Sequence, residues 1–150
     1  MSRFVAFDHG TRRIGVAVAD TEIGQAFPRP AIRIPRGGDI GPAVDLARAE
    51  RAERVIVGLP RNMDGTEGSQ AAAARRFGDE LARAGMQVVF VDERLTSWEA
   101  GERLGAAEAR SRRKRGDLDS AAARLILQDY LDARRQGRTR VEAPDHQEAG

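Results

Sequence analysis

Asp8, Asp92, Glu93 and Asp119 stand at the ends of apolar stretches. Asp8 closes "FVAFD" just before His9 and Gly10, Asp92 and Glu93 close "QVVFVDE", and Asp119 opens "LDSAAARLIL". Carboxylates gathered at one place repel, and at about 4 Å each pair costs roughly 1 to 4 kcal/mol in a wet or half-buried site. A cation offsets that repulsion, and a chain without cysteine offers it only oxygen or histidine ligands. Hard carboxylate oxygens suit Mg²⁺ or Mn²⁺, which commonly act as a pair bridging a phosphate. Each acid alone also has an ordinary structural use: Asp8 as an acceptor for turn amides, Glu93 and Asp119 at helix N-termini. Convergence is what would turn them into a site.

Convergence depends on the elements that carry them. Residues 3 to 8 alternate, with Phe4, Ala6 and Asp8 on one face and Val5 and Phe7 on the other, and "RIGVAVAD" alternates again, which is the period of strands. Gly10, in the intervening "HGTR", is expected to supply a positive φ and close an antiparallel hairpin. The prolines of "AFPRPAIRIP" put a third strand at a sheet edge. Ile40, Val44 and Ala47 are spaced for a helix over 40–51. "RVIVGLP" and "QVVFVDER" read as buried parallel strands. Between them a polar loop leads to a helix over 70–84, with Ser69 as its candidate cap and Gly85 as its stop. Thr96 and Glu99 are spaced as a capping box. "DLDSAAARLILQDYLDARR" is a closing amphipathic helix.

These elements predict one α/β domain over residues 1–135, followed by a disordered tail over 136–150. A hairpin followed by alternating strands and helices implies a five-stranded mixed sheet in spatial order 3-2-1-4-5, flanked by helices. The carboxyl ends of strands one, four and five then lie together, where ligands normally bind; Asp8, Gly58, Asp92 and Glu93 fall there. In the closing helix Asp119 lies within about 20° of Ile126 and of Tyr130, whereas Asp117 is roughly 160° away, at 100° per residue. Asp119 therefore faces the sheet, and Asp117 is left as an N-cap. Position alone does not separate Asp92 from Glu93.

At 150 residues and a formal charge of +2, the chain has the size of a single domain with its own core. The absence of cysteine excludes disulfide scaffolds and thiolate chemistry and suits a reducing cytoplasm. No stretch approaches the ~18 apolar residues of a membrane span. Of 25 basic residues only Lys114 is lysine. Arginine forks suit phosphate, although a chain rich in Ala, Arg and Gly also reflects genomic base composition.

Taken in order, "DHGTRRIGVAVAD", "VIVGLPRNMDGTEGS", "VDERLTS" and "LDSAAARLIL" resemble the YqgF/RuvX family of ribonuclease H-like nucleases, over about residues 4–135. The resemblance implies an RNase H-like fold. It makes Asp8, Glu93 and Asp119 the catalytic ligands of Mg²⁺ or Mn²⁺ in a two-metal site, choosing Glu93 over Asp92. It further implies hydrolysis of phosphodiester bonds in structured nucleic acid. The first expectation is processing of the 5′ end of pre-16S rRNA, and the alternative is a Holliday junction resolvase, which would work as a homodimer because it cuts two strands symmetrically. Arg61 and Asn62, which follow strand four, could steer a strand, and Arg94 could meet phosphate. The run Arg110, Arg112, Arg113, Lys114 and Arg115 lacks interleaved aromatics, so it suits backbone contact, with a solvated surface as the ordinary alternative. His9 and Trp98 read as structural. "DHGT" also resembles the phosphate motif of sugar kinases and actin-like ATPases, but those proteins close two domains over a nucleotide. An inactive nucleic-acid-binding module would have no reason to gather Asp8, Glu93 and Asp119.

Overall fold

A computed structural model describes residues 2–93, 118–137 and 141–142, with the side chains of 118, 119, 141 and 142 outside that set. The chain runs through β1 (Arg3–His9), β2 (Arg13–Asp20), β3 (Gln25–Arg33), α1 (Gly41–Ala49), β4 (Ala52–Leu59), α2 (Ser69–Arg83), β5 (Val88–Asp92), α3 (Leu118–Arg135) and β6 (Val141–Glu142). These strands form one sheet in the order β3-β2-β1-β4-β5-β6. β1 and β3 run antiparallel to β2, while β4 runs parallel to β1 and to β5. The expected order 3-2-1-4-5 therefore stands, and the two-residue β6 adds an antiparallel partner to β5.

Alternation along the strands divides the apolar side chains between two layers. Val5, Phe7, Val16, Val18, Val57 and Phe90 pack against Val44 and Ala47 of α1 and Phe77 and Leu81 of α2. Phe4, Ala6, Ala17, Ala19, Ile56 and Val91 pack against Ala123, Ile126, Leu127 and Tyr130 of α3. Both faces of the inner strands are thus covered, which is why their sequences are apolar throughout. The many alanines on the second face let α3 lie close to the sheet. Among the described residues no helix is long and apolar enough to cross a membrane.

Two local expectations change. Gly10 does not take a positive φ; it is glycine because the hairpin is tight. Its N–H donates to the Arg13 carbonyl at 2.9 Å, and a Cβ would sit 2.7 Å from that same oxygen. Ser69 does not cap α2 either: Gly68 is the N-cap, without a side-chain bond, and Ser69 is already helical. At the other end Gly85, with φ 96°, stops α2 as expected.

Candidate active site

The site is built around β4, the strand between β1 and β5. Its last ladder partners are Phe7 on one side, opposite Val57, and Asp92 on the other, opposite Leu59. Asp8 and Glu93 each lie one residue beyond, on either side of Gly58. Side-chain alternation then decides which acids meet. Ala6, Ile56 and Val91 face α3, so Asp8, Gly58 and Glu93 share that face, while Phe90 and Asp92 point to the α2 side.

Strands two apart are about 9.6 Å from one another, so carboxyls from β1 and β5 can join only where the strand between them carries no side chain. Gly58 supplies that gap. A Cβ there would lie 2.7 Å from Glu93 Oε1 and 2.6 Å from Ile126 Cδ1. Over this floor Asp8 and Glu93 are hydrogen-bonded side chain to side chain. Burial first, then the Asp8 charge, the hydrogen bond to Asp8 and the Asp92 charge push the Glu93 carboxyl up to about 8. A shared proton thus holds together two acids that would otherwise repel.

Asp92, only 9% exposed, has a separate partner. Its Oδ2 is 3.3 Å from Arg61 Nη1, and Arg61 Nε is 3.1 Å from Glu67 Oε2. Arg75 of α2 grips the same Glu67 with both prongs of its fork, each at 2.7 Å. The Arg75 hydrogen bonds, aided by Arg61, hold the Glu67 carboxyl below its ordinary range. The segment between is a small hairpin. Asn62 N–H donates to the Thr66 carbonyl at 2.8 Å, Gly65 N–H donates to the Asn62 carbonyl at 2.9 Å, and Asn62 Nδ2 donates to Thr66 Oγ1 at 3.0 Å. Arg61 is therefore a brace from the end of β5 to the loop, its side chain 17% exposed, and the Asn62 amide is engaged within the loop.

Asp119 belongs to the first turn of α3, and Ser120 directly after it is buried against β2 and β3. Among the described residues no group of three or more His, Asp or Glu is arranged to hold a metal; Asp8 and Glu93 form a pair, and the Asp119 side chain is outside that set. Arg94, Trp98, Thr96, Glu99, Asp117 and the run Arg110, Arg112, Arg113, Lys114, Arg115 also lie outside the described residues. His9 points to the other side of the sheet, its ring 4.8 Å from that of Phe77, and desolvation lowers its pKa. The special use of Gly58 escapes a sequence reading that treats it as a strand end. A glycine inside a β-branched run is nevertheless a signal of close approach.

The chain matches the family described as "RuvX: Holliday junction resolvase" over residues 2–133. It belongs to the RuvX family. A relative from Anaeromyxobacter sp. (strain Fw109-5), named "Putative pre-16S rRNA nuclease", is 42% identical across 88% of this chain and 98% of its own. One of the same name from Syntrophus aciditrophicus (strain SB) is 40% identical across 98% of this chain and 99% of its own. Among solved structures, Thermus thermophilus RuvC superposes with a TM-score of 0.59 at 16% identity, covering 93% of this chain and 99% of that one. The same protein "in complex with Holliday junction substrate" gives 0.58, covering 95% and 100%. That likeness is one of fold, consistent with the RNase H-like expectation.

For a RuvX protein the donor set fits a hard divalent ion. Two carboxyls on one face, held in contact and partly desolvated, offer oxygen ligands whose shared proton a cation can replace.

Proposed function

We propose that this protein is a divalent-metal-dependent nuclease that hydrolyses phosphodiester bonds in structured nucleic acid, acting in the cytoplasm on the 5′ end of pre-16S rRNA. The observation that carries this reading is the Asp8–Glu93 carboxyl pair meeting over Gly58. Asp8, Glu93 and Asp119 would hold Mg²⁺ or Mn²⁺ in a two-metal site. When bound, such ions lower the pKa of an attacking water and stabilise the leaving 3′ oxygen, giving 5′ phosphate and 3′ hydroxyl products.

The chain's own part is to hold carboxyl oxygens in place and to guide the strand. Gly58 keeps room for the pair, while Arg61, Glu67 and Arg75 keep the 61–67 hairpin at the rim. Arg94 and the run Arg110, Arg112, Arg113, Lys114, Arg115 would meet backbone phosphates, and Arg61 and Asn62, at the start of that hairpin, would steer the strand along it. The names carried by the relatives favour the RNA substrate. The family description favours a second reading, resolution of Holliday junctions by a homodimer.

A precursor RNA spanning the 16S 5′ end and a synthetic four-way junction, offered side by side in matched salt and Mn²⁺, separate the two. The first reading expects RNA cleavage with the junction left whole; the reverse pattern selects the second. Asp8→Asn should lower cleavage at least about 10³-fold with an unchanged circular dichroism spectrum. Retained cleavage by that variant would remove the assignment.

A further inference from the structure

β2 and β3 do not run in step. Ile14 pairs with Ile32 and Val16 with Arg29, so two steps on β2 answer three on β3. Such a bulge disrupts the ladder locally, and here the opening is filled from the helix layer. Ser120 of α3, 1% exposed, accepts the Val16 N–H at 3.1 Å and donates its hydroxyl proton to the Arg29 carbonyl at 2.5 Å. A hydroxyl, donor and acceptor in one atom, can stand in for the direct strand-to-strand bond.

The position of this bridge relates it to the candidate site. Gly15 is the ladder partner of Asp8, and Val16 follows it; Asp119 precedes Ser120. One short route of backbone and two hydrogen bonds therefore joins the strand that bears Asp8 to the helix turn that bears Asp119. We propose that Ser120 is a positioning residue of the nuclease: its hydroxyl, keyed into the bulge between β2 and β3, sets the first turn of α3, and Asp119 with it, against Asp8. This role rests on the metal-dependent reading above.

The same helix carries its own control. Gln128 also ties α3 to the β2–β3 hairpin, accepting from Ala26 N–H at 2.9 Å and donating to the Gly24 carbonyl at 3.1 Å. It lies eight residues from Ser120, about 12 Å along the axis. A bond that merely fastens the helix should behave alike at both places.

Wild type, Ser120→Ala, Ser120→Cys and Gln128→Ala are compared by calorimetric titration with Mn²⁺ alone, by thermal melts, and by kinetics on the precursor RNA and the four-way junction. Both Ser120 variants should bind Mn²⁺ about 10-fold more weakly and lose about 10²-fold in kcat, the scale of a misplacement near 1 Å, with KM within about twofold. Ser120→Cys keeps the buried volume and covers the case in which the alanine variant fails to fold. Gln128→Ala should lower the melting temperature yet bind Mn²⁺ as wild type does. If the Ser120 variants match Gln128→Ala in Mn²⁺ affinity and kcat, the positioning role is overturned while the nuclease reading stands. If wild type binds no Mn²⁺, that reading falls and takes this role with it.

Discussion

Replacing Glu93 by glutamine tests the carboxyl pair without any substrate. In the metal-free protein the Glu93 carboxyl keeps its proton up to about pH 8, against an ordinary value of 4.5, because burial, the neighbouring Asp8 and Asp92 charges and the hydrogen bond to Asp8 all disfavour the anion. The unfolded chain releases that proton near 4.5. Between these two values the folded state binds more protons than the unfolded state, so stability is lost as pH rises. The contribution is fully present below pH 4.5 and gone above pH 8. Linkage at about 1.36 kcal/mol per pH unit sets a limit of about 3.5 kcal/mol between pH 5 and 8. Glu93 is only part-buried, and solvent screening brings the expected value down to about 2 kcal/mol. With a urea m-value of about 2 kcal/mol per molar for a domain of this size, the midpoint should fall by about 1 M. Urea unfolding in EDTA at pH 5 and pH 8 measures it directly. Wild type should show the fall, and Glu93→Gln should flatten it. Asp8→Asn should flatten it too, because the pair titrates as a unit. Parallel pH dependences for wild type and both variants would refute the shared-proton account. Adding Mn²⁺ should reverse the sign for wild type alone, since a cation favours the anionic carboxyls.

Gly58→Ala places a methyl carbon 2.6 Å from Ile126 Cδ1 and 2.7 Å from Glu93 Oε1; it should cost about 1 to 3 kcal/mol in urea unfolding and slow single-turnover cleavage by about 10²-fold or more. Asp92→Asn weakens the Arg61 brace and removes the smallest of the influences that raise Glu93, while the Asp8 and Glu93 side chains keep their own face of the sheet. Limited proteolysis within 61–67 should accelerate while cleavage stays within about tenfold of wild type, on the scale of a hydrogen bond worth about 1 kcal/mol. Changing Arg110, Arg112, Arg113, Lys114 and Arg115 to glutamine should weaken RNA binding and reduce its salt dependence by up to about 4 in log–log slope. Under saturating RNA, kcat should not move.

The strand order was legible because two rules suffice for it: a short connection makes a hairpin, and a strand–helix–strand unit returns parallel beside its neighbour. Asp8 was legible for the same reason, as the polar end of an alternating strand. Separating Asp92 from Glu93 needed more. "VVFV" is apolar on both faces, so its pattern carries no parity. Only the register that puts Leu59 opposite Asp92 shows which acid shares a face with Asp8. Arg61 as the partner of Asp92 lies 31 residues away, beyond any local spacing rule. Gly10 was correctly read as a turn residue for the wrong physical reason, since a carbonyl contact and a left-handed φ look alike in sequence. The pairing of β6 involves two residues, too few to show a period.

β3, at the open edge of the sheet, carries Pro28 and Pro30, two positions with no amide hydrogen to offer. A second copy finds there a poor template for prolonging the sheet across molecules. A paired form that met at this edge and cut two strands in concert would then be joined through side chains, whose fit a few substitutions can rework. The distance between two cutting centres could drift in evolution, or be redesigned, while the carboxyls within each copy stayed as they are.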